Sequence, residues 1–420
     1  MSLPNRTQVL VVGAGPVGMT TALLLAERGI QCTVIDAKGG AAARSYACAL
    51  HPRSLELFDR LGLTQEILAL GRRFETLAFY EGPSKRAEVK LSELPLKFPF
   101  LFVLPQNALE ELLERALNRR AGIHVQWHHQ LSDLRTEGKE VIGTVDKLAG
   151  TSVGYIVPHW EMVVKESAEI RASFLVGADG HNSLVRQRLG IDFERVGEPV
   201  RFSVFEFETD AELPNEVRVV LDESTTNVLW PLSSGRCRWS FQGRRQEPSD
   251  EFPDKDRRSV WIDDPEMNKR FREHLHRFIE KRAPWFAAEV KEFHWVSQVQ
   301  FEHRLVKRFG NDLCRLVGDA AHQTGPVGVQ SFNVGLREAD ELAEILRAGL
   351  QPGATANGFE KWEKRWFGEW QQLLGLKGTM KAGSDADQWV QQHAARILPC
   401  LPASCDDMAL CVKQLHLDLP

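Results

Sequence analysis

Two nucleotide-binding motifs lie far apart in this 420-residue chain, and they constrain its fold more than any other feature. The first closes a hydrophobic run and reads V-L-V-V-G-A-G-P-V-G at residues 9–18, and the second reads L-V-G-D-A-A-H at residues 316–322. A G-x-G-x-x-G motif alone is weak evidence. A strand, a helix, an acidic residue and a distant G-D in this order indicate FAD, since so long a cofactor must be held at both its AMP end and its flavin end.

The first motif predicts a strand over residues 8–12 and a helix over residues 17–28, whose amino end points at phosphate groups. Gly13 permits the tight turn, Gly15 leaves room for a pyrophosphate, and Gly18 lets the helix pack closely on the strand. The predicted cofactor-binding residues of this turn are Gly13, Ala14, Gly15, Pro16, Val17 and Gly18.

An acidic residue follows the second predicted strand, which covers residues 31–35. Asp36 comes roughly 20 residues beyond the motif, where a carboxylate accepts hydrogen bonds from an adenosine ribose and repels a 2′-phosphate. Asp36 and its neighbour Ala37 are therefore expected to bind the cofactor at its AMP end.

Composition excludes several other classes of protein. A net charge of −5 gives no basis for nonspecific nucleic-acid binding. No apolar stretch approaches the roughly 20 residues of a membrane helix, and the amino terminus carries no secretion signal. Seven cysteines, mostly scattered, suit a reducing compartment, so we expect a cytoplasmic protein without an integral membrane segment. Cys400, Cys405 and Cys411 match no usual metal spacing, and no metal site is predicted.

The order of the predicted elements indicates an α/β protein whose nucleotide domain is interrupted. Residues 202–301 alternate between apolar and polar side chains, as an antiparallel sheet does, with a helix over 264–283. Residues 151–169 are polar and irregular and predict no regular element. We expect a discontinuous Rossmann-like FAD-binding domain, an inserted mixed or antiparallel β-sheet substrate-binding domain, and a helical C-terminal tail. The FAD-binding domain is expected to cover 1–75, 100–190 and 297–350, and the substrate-binding domain 76–99 and 191–296. The tail is expected to cover 351–420.

Four segments together make the chain resemble the class A flavoprotein monooxygenases, the family of para-hydroxybenzoate hydroxylase and the aromatic polyketide hydroxylases. They are G-A-G-P-V-G with Asp36, A-R-S-Y-A-C-A-L-H-P-R-S-L-E-L-F-D-R-L-G-L, V-G-A-D-G-H-N-S-L-V-R, and L-V-G-D-A-A-H with P-V-G-V-Q-S-F-N-V-G-L-R. The resemblance extends from the first strand to about Ala348.

The resemblance implies further cofactor contacts. Arg44 would meet the pyrophosphate or ribose, Gln106 the ribityl or phosphate region, and the backbone of Leu131 the adenine. Asp179 belongs to the D-G motif, which the family associates with both FAD and NAD(P)H. At the flavin end, Asp319 would bind the ribityl hydroxyls. The other residues implied at that end are Gly318, Pro326, Phe332 and Asn333.

The same resemblance implies the activity. NAD(P)H would bind transiently as the reductant, and the flavin would carry the oxygen chemistry, so no catalytic side chain is assigned. The substrate would be an aromatic or polyketide-like small molecule, and the protein a monomer or homodimer. An FAD-dependent reductase or oxidase of a hydrophobic substrate, and a non-catalytic flavoprotein binding partner, remain alternatives. A flavin-dependent halogenase is disfavoured, since the run W-x-W-x-I-P is missing from the sequence.

The flavin loop departs from the family pattern P-x-G-G-Q-G-h-N, in which h is apolar. Val329 and Ser331 replace two of its glycines. Because a β-branched residue resists positive φ angles, we expect a differently shaped loop. His322 is interpreted as a structural residue of the G-D turn.

Two interpretations remain open for each of four other residues. His51 could line the substrate pocket or occupy the position at which a helix begins. Arg186 could touch the cofactor or brace the D-G segment. Trp230 and Trp239 are interpreted as sheet core in preference to a substrate clamp.

Overall fold

The computed structural model has a mixed α/β fold with several sheets, and it describes residues 3–40, 49–119, 123–153, 159–213, 215–244, 264–353 and 357–420. Arg44, predicted to bind the cofactor, lies outside the described residues. The α-helices are α1 (Pro16–Glu27), α2 (Pro52–Arg60), α3 (Thr64–Leu68), α4 (Gln106–Arg119), α5 (Leu184–Arg188), α6 (Pro265–Arg282), α7 (Gln330–Gly349), α8 (Asn357–Leu373), α9 (Gln388–Ile397) and α10 (Asp406–Lys413).

The strands of the first half of the chain are β1 (Arg6–Val12), β2 (Cys32–Asp36), β3 (Ala49–Leu50), β4 (Arg72–Phe74), β5 (Thr76–Glu81), β6 (Ser84–Lys90), β7 (Leu101–Val103), β8 (Val125–Trp127), β9 (His129–Glu137), β10 (Glu140–Val153) and β11 (His159–Gly177). Those of the second half are β12 (Phe193–Arg195), β13 (Val200–Thr209), β14 (Val217–Leu221), β15 (Thr226–Pro231), β16 (Arg236–Gln242), β17 (Val290–Phe301), β18 (Arg304–Val306), β19 (Cys314–Leu316), β20 (His322–Gln323), β21 (Lys381–Ala382) and β22 (Leu417–Asp418).

The first sheet has a parallel centre that gathers both nucleotide-binding motifs. Its strand order is β8-β2-β1-β11-β10-β9, and β19 pairs with the end of β11. β1, β2, β8 and β19 run parallel to their neighbours. The apolar residues of β1, β2 and β19 are buried, as expected of strands covered on both faces, while those of the edge strand β8 are partly buried. The ends of β1, β11 and β19 therefore lie side by side, although they come from distant parts of the sequence.

The prediction that residues 151–169 are irregular is wrong for the described part of that segment. β10 and β11 form a long antiparallel ribbon, with Thr151 opposite Glu161 and Thr144 opposite Glu169. Toward its outer end the ribbon exposes side chains on both faces, including the large apolar neighbours Met162 and Val163. Because burial imposes no alternation there, the sequence carries no strand periodicity.

The second sheet is mostly antiparallel, in the order β17-β13-β16-β15-β14-β5-β6. β5 and β6 join it through parallel pairing of β5 with β14. One face packs against α6 in an aromatic cluster that contains Phe205, Trp239 and Phe241. The opposite face, with Val204 and Trp230, belongs to the main core. Trp230 and Trp239 are therefore both core residues, as interpreted.

The tail is mainly helical, as predicted, but it also contains the short antiparallel pair β21 and β22. Trp362, Trp366 and Trp370 of α8 are buried and direct their indole N–H groups to α7. The tail thus packs on the helix that follows the second motif.

Several element boundaries differ slightly from the predictions. β1 begins at Arg6 and not at residue 8. α1 covers Pro16–Glu27, one residue earlier at each end than the predicted helix over residues 17–28. In the part of the chain that the structure describes, each helix is too short or too polar to cross a lipid bilayer.

Candidate cofactor and substrate site

The glycine turn after β1 has the geometry that its three glycines predict. Gly13 has a φ of +103°, and a Cβ added there would lie 2.2 Å from the carbonyl oxygen of Ala178. A Cβ at Gly18 would lie 1.9 Å from the Gly13 oxygen, so only glycine lets the helix approach the strand. At Gly15, by contrast, a Cβ would meet no described atom within 4 Å. The backbone there borders open space that suits a pyrophosphate.

Asp36 holds this turn in place through both of its carboxylate oxygens. One carboxylate oxygen accepts a 2.7 Å hydrogen bond from the Ala14 amide, and the other accepts a 2.8 Å bond from the Lys38 amide. The Ala14 contact joins the end of β2 to the motif. A carboxylate oxygen has room for more than one donor, so ribose hydroxyls can still bind Asp36.

The two distant motifs meet at Val17, in the first turn of α1. A Cβ added at Gly318 would lie 3.2 Å from a Val17 methyl, and one at Gly335 of α7 would lie 3.2 Å from the same methyl and 2.8 Å from the Gly318 Cα. The first turn of α1 contains no acidic residue, and no described side chain caps it. The amino end of α1, whose N–H groups can bind phosphate, therefore lies beside the G-D turn. One ligand could contact both.

At the G-D turn, Asp319 is exposed and Ser331 donates a 2.6 Å hydrogen bond to one of its carboxylate oxygens. His322 is completely buried, with Nε2 2.8 Å from Glu338 Oε2. These contacts agree with a structural role for His322.

The loop from Pro326 to Val329, which precedes α7, keeps a conformation that favours glycine. Val329 has a φ of +49° and a ψ of +35°, so the valine occupies the left-handed region despite its branched side chain. Such a conformation costs about 1–2 kcal/mol. Its side chain is buried, and its carbonyl accepts a 2.8 Å hydrogen bond from Asn333 Nδ2. Val329 therefore adopts the positive φ that it was expected to resist, and the expected change of loop shape does not arise from its backbone.

Asn333 fastens the start of α7 to the segment before α2. Its Oδ1 accepts bonds of 2.8 Å from the His51 amide and 2.7 Å from the Ser54 hydroxyl, and its Nδ2 donates to the Ala49 oxygen at 3.0 Å. The His51 side chain bonds the Gly328 oxygen through Nε2 at 2.8 Å. His51 therefore supports both the entry of α2 and the loop.

The D-G motif is braced against the G-D turn. Asp179 accepts a 2.5 Å bond from the Ser183 hydroxyl and a 3.1 Å bond from the Val185 amide, and burial raises the pKa of its carboxyl. Arg186 donates to the Ala320 oxygen at 3.0 Å and to the His181 oxygen at 2.8 Å. These contacts favour the bracing interpretation of Arg186.

The remaining predicted residues are spread around these turns. Gln106 opens α4, which packs on α1, and donates to Glu110 Oε1 at 2.7 Å. Leu131 is buried in β9 opposite Val145. Ala37 directly follows β2. Pro326 is partly exposed on the loop before α7, and Phe332 is partly exposed in the first turn of α7.

A buried ion pair on the second sheet was missed by sequence reasoning. Arg238 donates bonds of 2.6 and 3.2 Å to Glu206 Oε2, and its guanidinium lies 4.9 Å from the Trp295 ring centre. Glu206 shares the face of Val204, which belongs to the main core. The alternating segment S-V-F-E-F-E-T carried the only signal, a charged residue at a core-facing position.

Comparison with known proteins gives a family match over most of the chain. The model of the family described as "FAD binding domain" matches residues 6–365. The chain is 29% identical over 344 residues to 6-methylpretetramide 4-monooxygenase of Streptomyces rimosus, covering 80% of this chain and 55% of that protein. It is 24% identical over 369 residues to para-nitrophenol 4-monooxygenase of Pseudomonas sp. strain WBC-3, covering 84% and 81%.

Among solved structures, p-nitrophenol 4-monooxygenase from Pseudomonas putida DLL-E4 has a similar fold. The TM-score is 0.74 at 18% sequence identity, covering 98% of this chain and 97% of that one. This chain spans only about half the length of the Streptomyces enzyme but most of the length of the two Pseudomonas proteins.

Proposed function

The chain belongs to the FAD binding domain family, and we propose that it is an FAD-dependent monooxygenase that uses NAD(P)H to hydroxylate an aromatic or polyketide-like small molecule. The observation that carries the proposal is the meeting of the glycine turn with the G-D turn at Val17. One elongated ligand can reach both turns at once. The relatives' names supply the reaction class, since two of them are monooxygenases of a pretetramide and of a nitrophenol.

The AMP half of FAD would be held by backbone and one carboxylate. The α1 amino end offers N–H groups to the pyrophosphate beside Gly15, where no side chain obstructs it. Asp36 would accept ribose hydroxyls while its other contacts keep the turn closed. Arg44 would add a charge-assisted bond to the phosphates, in keeping with the family resemblance.

The flavin half would be held by Asp319 and the loop before α7. Asp319 is exposed, so its carboxylate can accept ribityl hydroxyls. The positive end of α7 begins at Gln330, beside the Phe332–Asn333 backbone, where it would stabilise negative charge on a reduced ring. Bound FAD would supply the electron transfer and the oxygen activation, while the protein orients it and excludes water.

The substrate would bind between the flavin loop and the second sheet. We assign 1–75, 100–190 and 297–350 to FAD binding, and 76–99 and 191–296 to substrate binding. The face of that sheet turned from α6 carries the Glu206–Arg238 pair, which places charged hydrogen-bonding groups among apolar core side chains. NAD(P)H would bind transiently, since the chain contains one dinucleotide motif.

The first test is whether the purified protein binds FAD and consumes oxygen with it. We expect yellow protein with noncovalent FAD, and oxygen uptake on adding NADH or NADPH that increases with phenolic or polyketide-like compounds. Product analysis should show one oxygen atom incorporated from ¹⁸O₂. Asp319→Ala should weaken FAD retention, because it removes the acceptor for the ribityl hydroxyls.

Other outcomes would select the alternatives. FAD reduction and substrate turnover without oxygen incorporation would indicate a reductase or oxidase. FAD that no nicotinamide reduces would indicate a non-catalytic flavoprotein binding partner. Protein that takes up no FAD in a titration would overturn the proposal entirely.

A further inference from the structure

A buried polar network lies directly behind the G-D turn. Glu338 of α7 is 0% exposed, and its carboxylate accepts a 2.6 Å bond from the Trp370 indole and a 3.1 Å bond from the Gly318 amide. His322 completes the set through Nε2, 2.8 Å from Glu338 Oε2, and its ring stacks on Trp370 with centres 3.8 Å apart. The second motif is thus anchored to α7 and to the tail.

Ser331 connects this network to the exposed carboxylate of Asp319. The Ser331 hydroxyl lies 3.2 Å from His322 Nδ1 and donates to Asp319 Oδ1 at 2.6 Å. The His322 carbonyl, also 3.2 Å away, is a second possible acceptor. The shorter contact, to a carboxylate, is the stronger one. A hydroxyl has one proton and two lone pairs, so while it donates to Asp319 it can accept from His322 wherever Nδ1 carries the ring proton.

A serine near a helix start commonly caps that helix by accepting a bond from a backbone N–H. Ser331 differs, because its hydroxyl is directed at a carboxylate outside its own helix, that of Asp319 in the preceding G-D turn. The family pattern P-x-G-G-Q-G-h-N has glycine at this position, and a glycine offers no group to hold Asp319. The substitution therefore adds a contact between the loop and the predicted ribityl ligand.

We propose that Ser331 is a positioning residue that fixes the Asp319 carboxylate against the His322–Glu338–Trp370 network, so that its other oxygen faces the ribityl hydroxyls of FAD. The proposal rests on the proposed function, in that FAD is the ligand. The hydroxyl prevents the exposed carboxylate from rotating freely, and the flavin half is bound more tightly as a result. The AMP half, held at Gly15 and Asp36, is independent of this contact.

The test compares FAD with ADP, which carries the AMP end but no ribityl chain. Dissociation constants for both ligands are measured on apoprotein by calorimetric titration, for wild type, Ser331→Ala, Asp319→Ala and the double variant. Ser331→Ala should raise the FAD dissociation constant about 5- to 20-fold. Its ADP constant should stay within about twofold of wild type. In the Asp319→Ala background, adding Ser331→Ala should change FAD binding by less than about twofold, since the two residues act as one unit.

Ser384→Ala is the matched control, because it removes another serine-to-carboxylate bond, 2.9 Å to Asp385, at an exposed site in the tail. It should leave both ligand affinities unchanged. The inference is overturned if Ser331→Ala binds FAD like wild type, if it weakens ADP equally, or if its effect multiplies fully with that of Asp319→Ala. Wild-type protein that binds ADP but not FAD would instead overturn the proposed function.

Discussion

Burial keeps the imidazole of His51 neutral, with a direct consequence for stability. Its pKa is lowered from 6.5 to about 4, chiefly because desolvation disfavours the charged ring, while the hydrogen bond to the Gly328 carbonyl opposes this. The unfolded chain therefore takes up this proton near pH 6.5 and the folded chain only near pH 4. The contribution of neutral His51 is complete above pH 6.5 and is lost as the pH falls toward 4.

We predict that this single residue accounts for about 3 kcal/mol of acid destabilisation. The free energy of unfolding, measured in urea at several pH values from 7.5 down to 4.5, should fall less steeply for His51→Gln than for wild type. Gln retains a side-chain N–H for the Gly328 carbonyl and cannot be protonated in this range. His276→Gln, at an exposed position of α6, is the control and should follow wild type. Parallel pH profiles for wild type and His51→Gln would contradict the prediction.

At the scale of single residues, the sequence predicts the backbone conformation of a residue when neighbours in the same motif require that residue type. Gly18 is predictable because its clash is with Gly13 of the same motif, and Gly13 because the turn gives it a φ of +103°, although the atoms that a Cβ at Gly13 would meet belong to the distant Ala178. The contacts of Asn333 and Glu338 are not predictable, because their partners include Ala49 and Trp370, which no local pattern connects to them. A buried polar side chain looks the same in sequence as an exposed one.

At the scale of elements, the second sheet is held partly by the Glu206–Arg238 pair between β13 and β16. Both side chains are almost fully buried, so removing the charge of Glu206 would leave Arg238 in the interior without its carboxylate partner. We predict that Glu206→Gln lowers the free energy of unfolding by about 3–5 kcal/mol in urea denaturation.

Glu208→Gln is the matched control for that change. Glu208 is two residues further along β13, and its carboxylate is 42% exposed where it contacts His294. Its loss should cost less than about 1 kcal/mol. Equal effects of the two substitutions would show that burial of the Arg238 pair is unimportant.

Periodicity explains which elements were predictable. α4 and α7 each have a buried stripe, so burial leaves a readable pattern in their sequences. α1 is buried on nearly every side and was predicted from the glycine motif. The strands of the second sheet were predicted from alternating apolar and polar residues, although its central strands are buried on both faces. The ribbon of β10 and β11 has no buried stripe along its outer part, and its strands were missed there. The parallel pairing of β5 with β14 joins residues 140 positions apart, such as Leu77 and Val217, which alternation alone does not reveal.

At the scale of the whole molecule, the tail supports the flavin loop from behind. Gln330 Nε2 donates to the carbonyls of Leu398 and Leu401 at 3.4 and 3.2 Å. A Cβ added at Gly328 would lie 2.4 Å from the Pro399 oxygen, which leaves no space between loop and tail. Arg53 of α2 also holds Asp407 of the tail through two bonds of 2.8 and 2.9 Å.

We predict that Gly328→Ala separates the tail from the loop. The added methyl would clash with backbone, and relief of such overpacking costs about 1–3 kcal/mol. Thermal unfolding should therefore shift downward, and limited proteolysis should cut the tail sooner. Gly243→Ala is the control, because a Cβ there would meet nothing closer than 3.6 Å. Unchanged protease resistance in Gly328→Ala would show that the contact is not required.

The position of this support in the chain has a consequence for biosynthesis. Ribosomes make β1, α1 and the G-D turn well before Leu398–Leu401, so the nascent chain exposes its glycine turn while the flavin loop is still unsupported. Cofactor that arrives during translation would meet a site able to hold its nucleotide end but not yet its ring. Stable binding of the cofactor would then follow the docking of the tail. Chains truncated before the tail would accumulate as partly folded protein that binds the cofactor poorly.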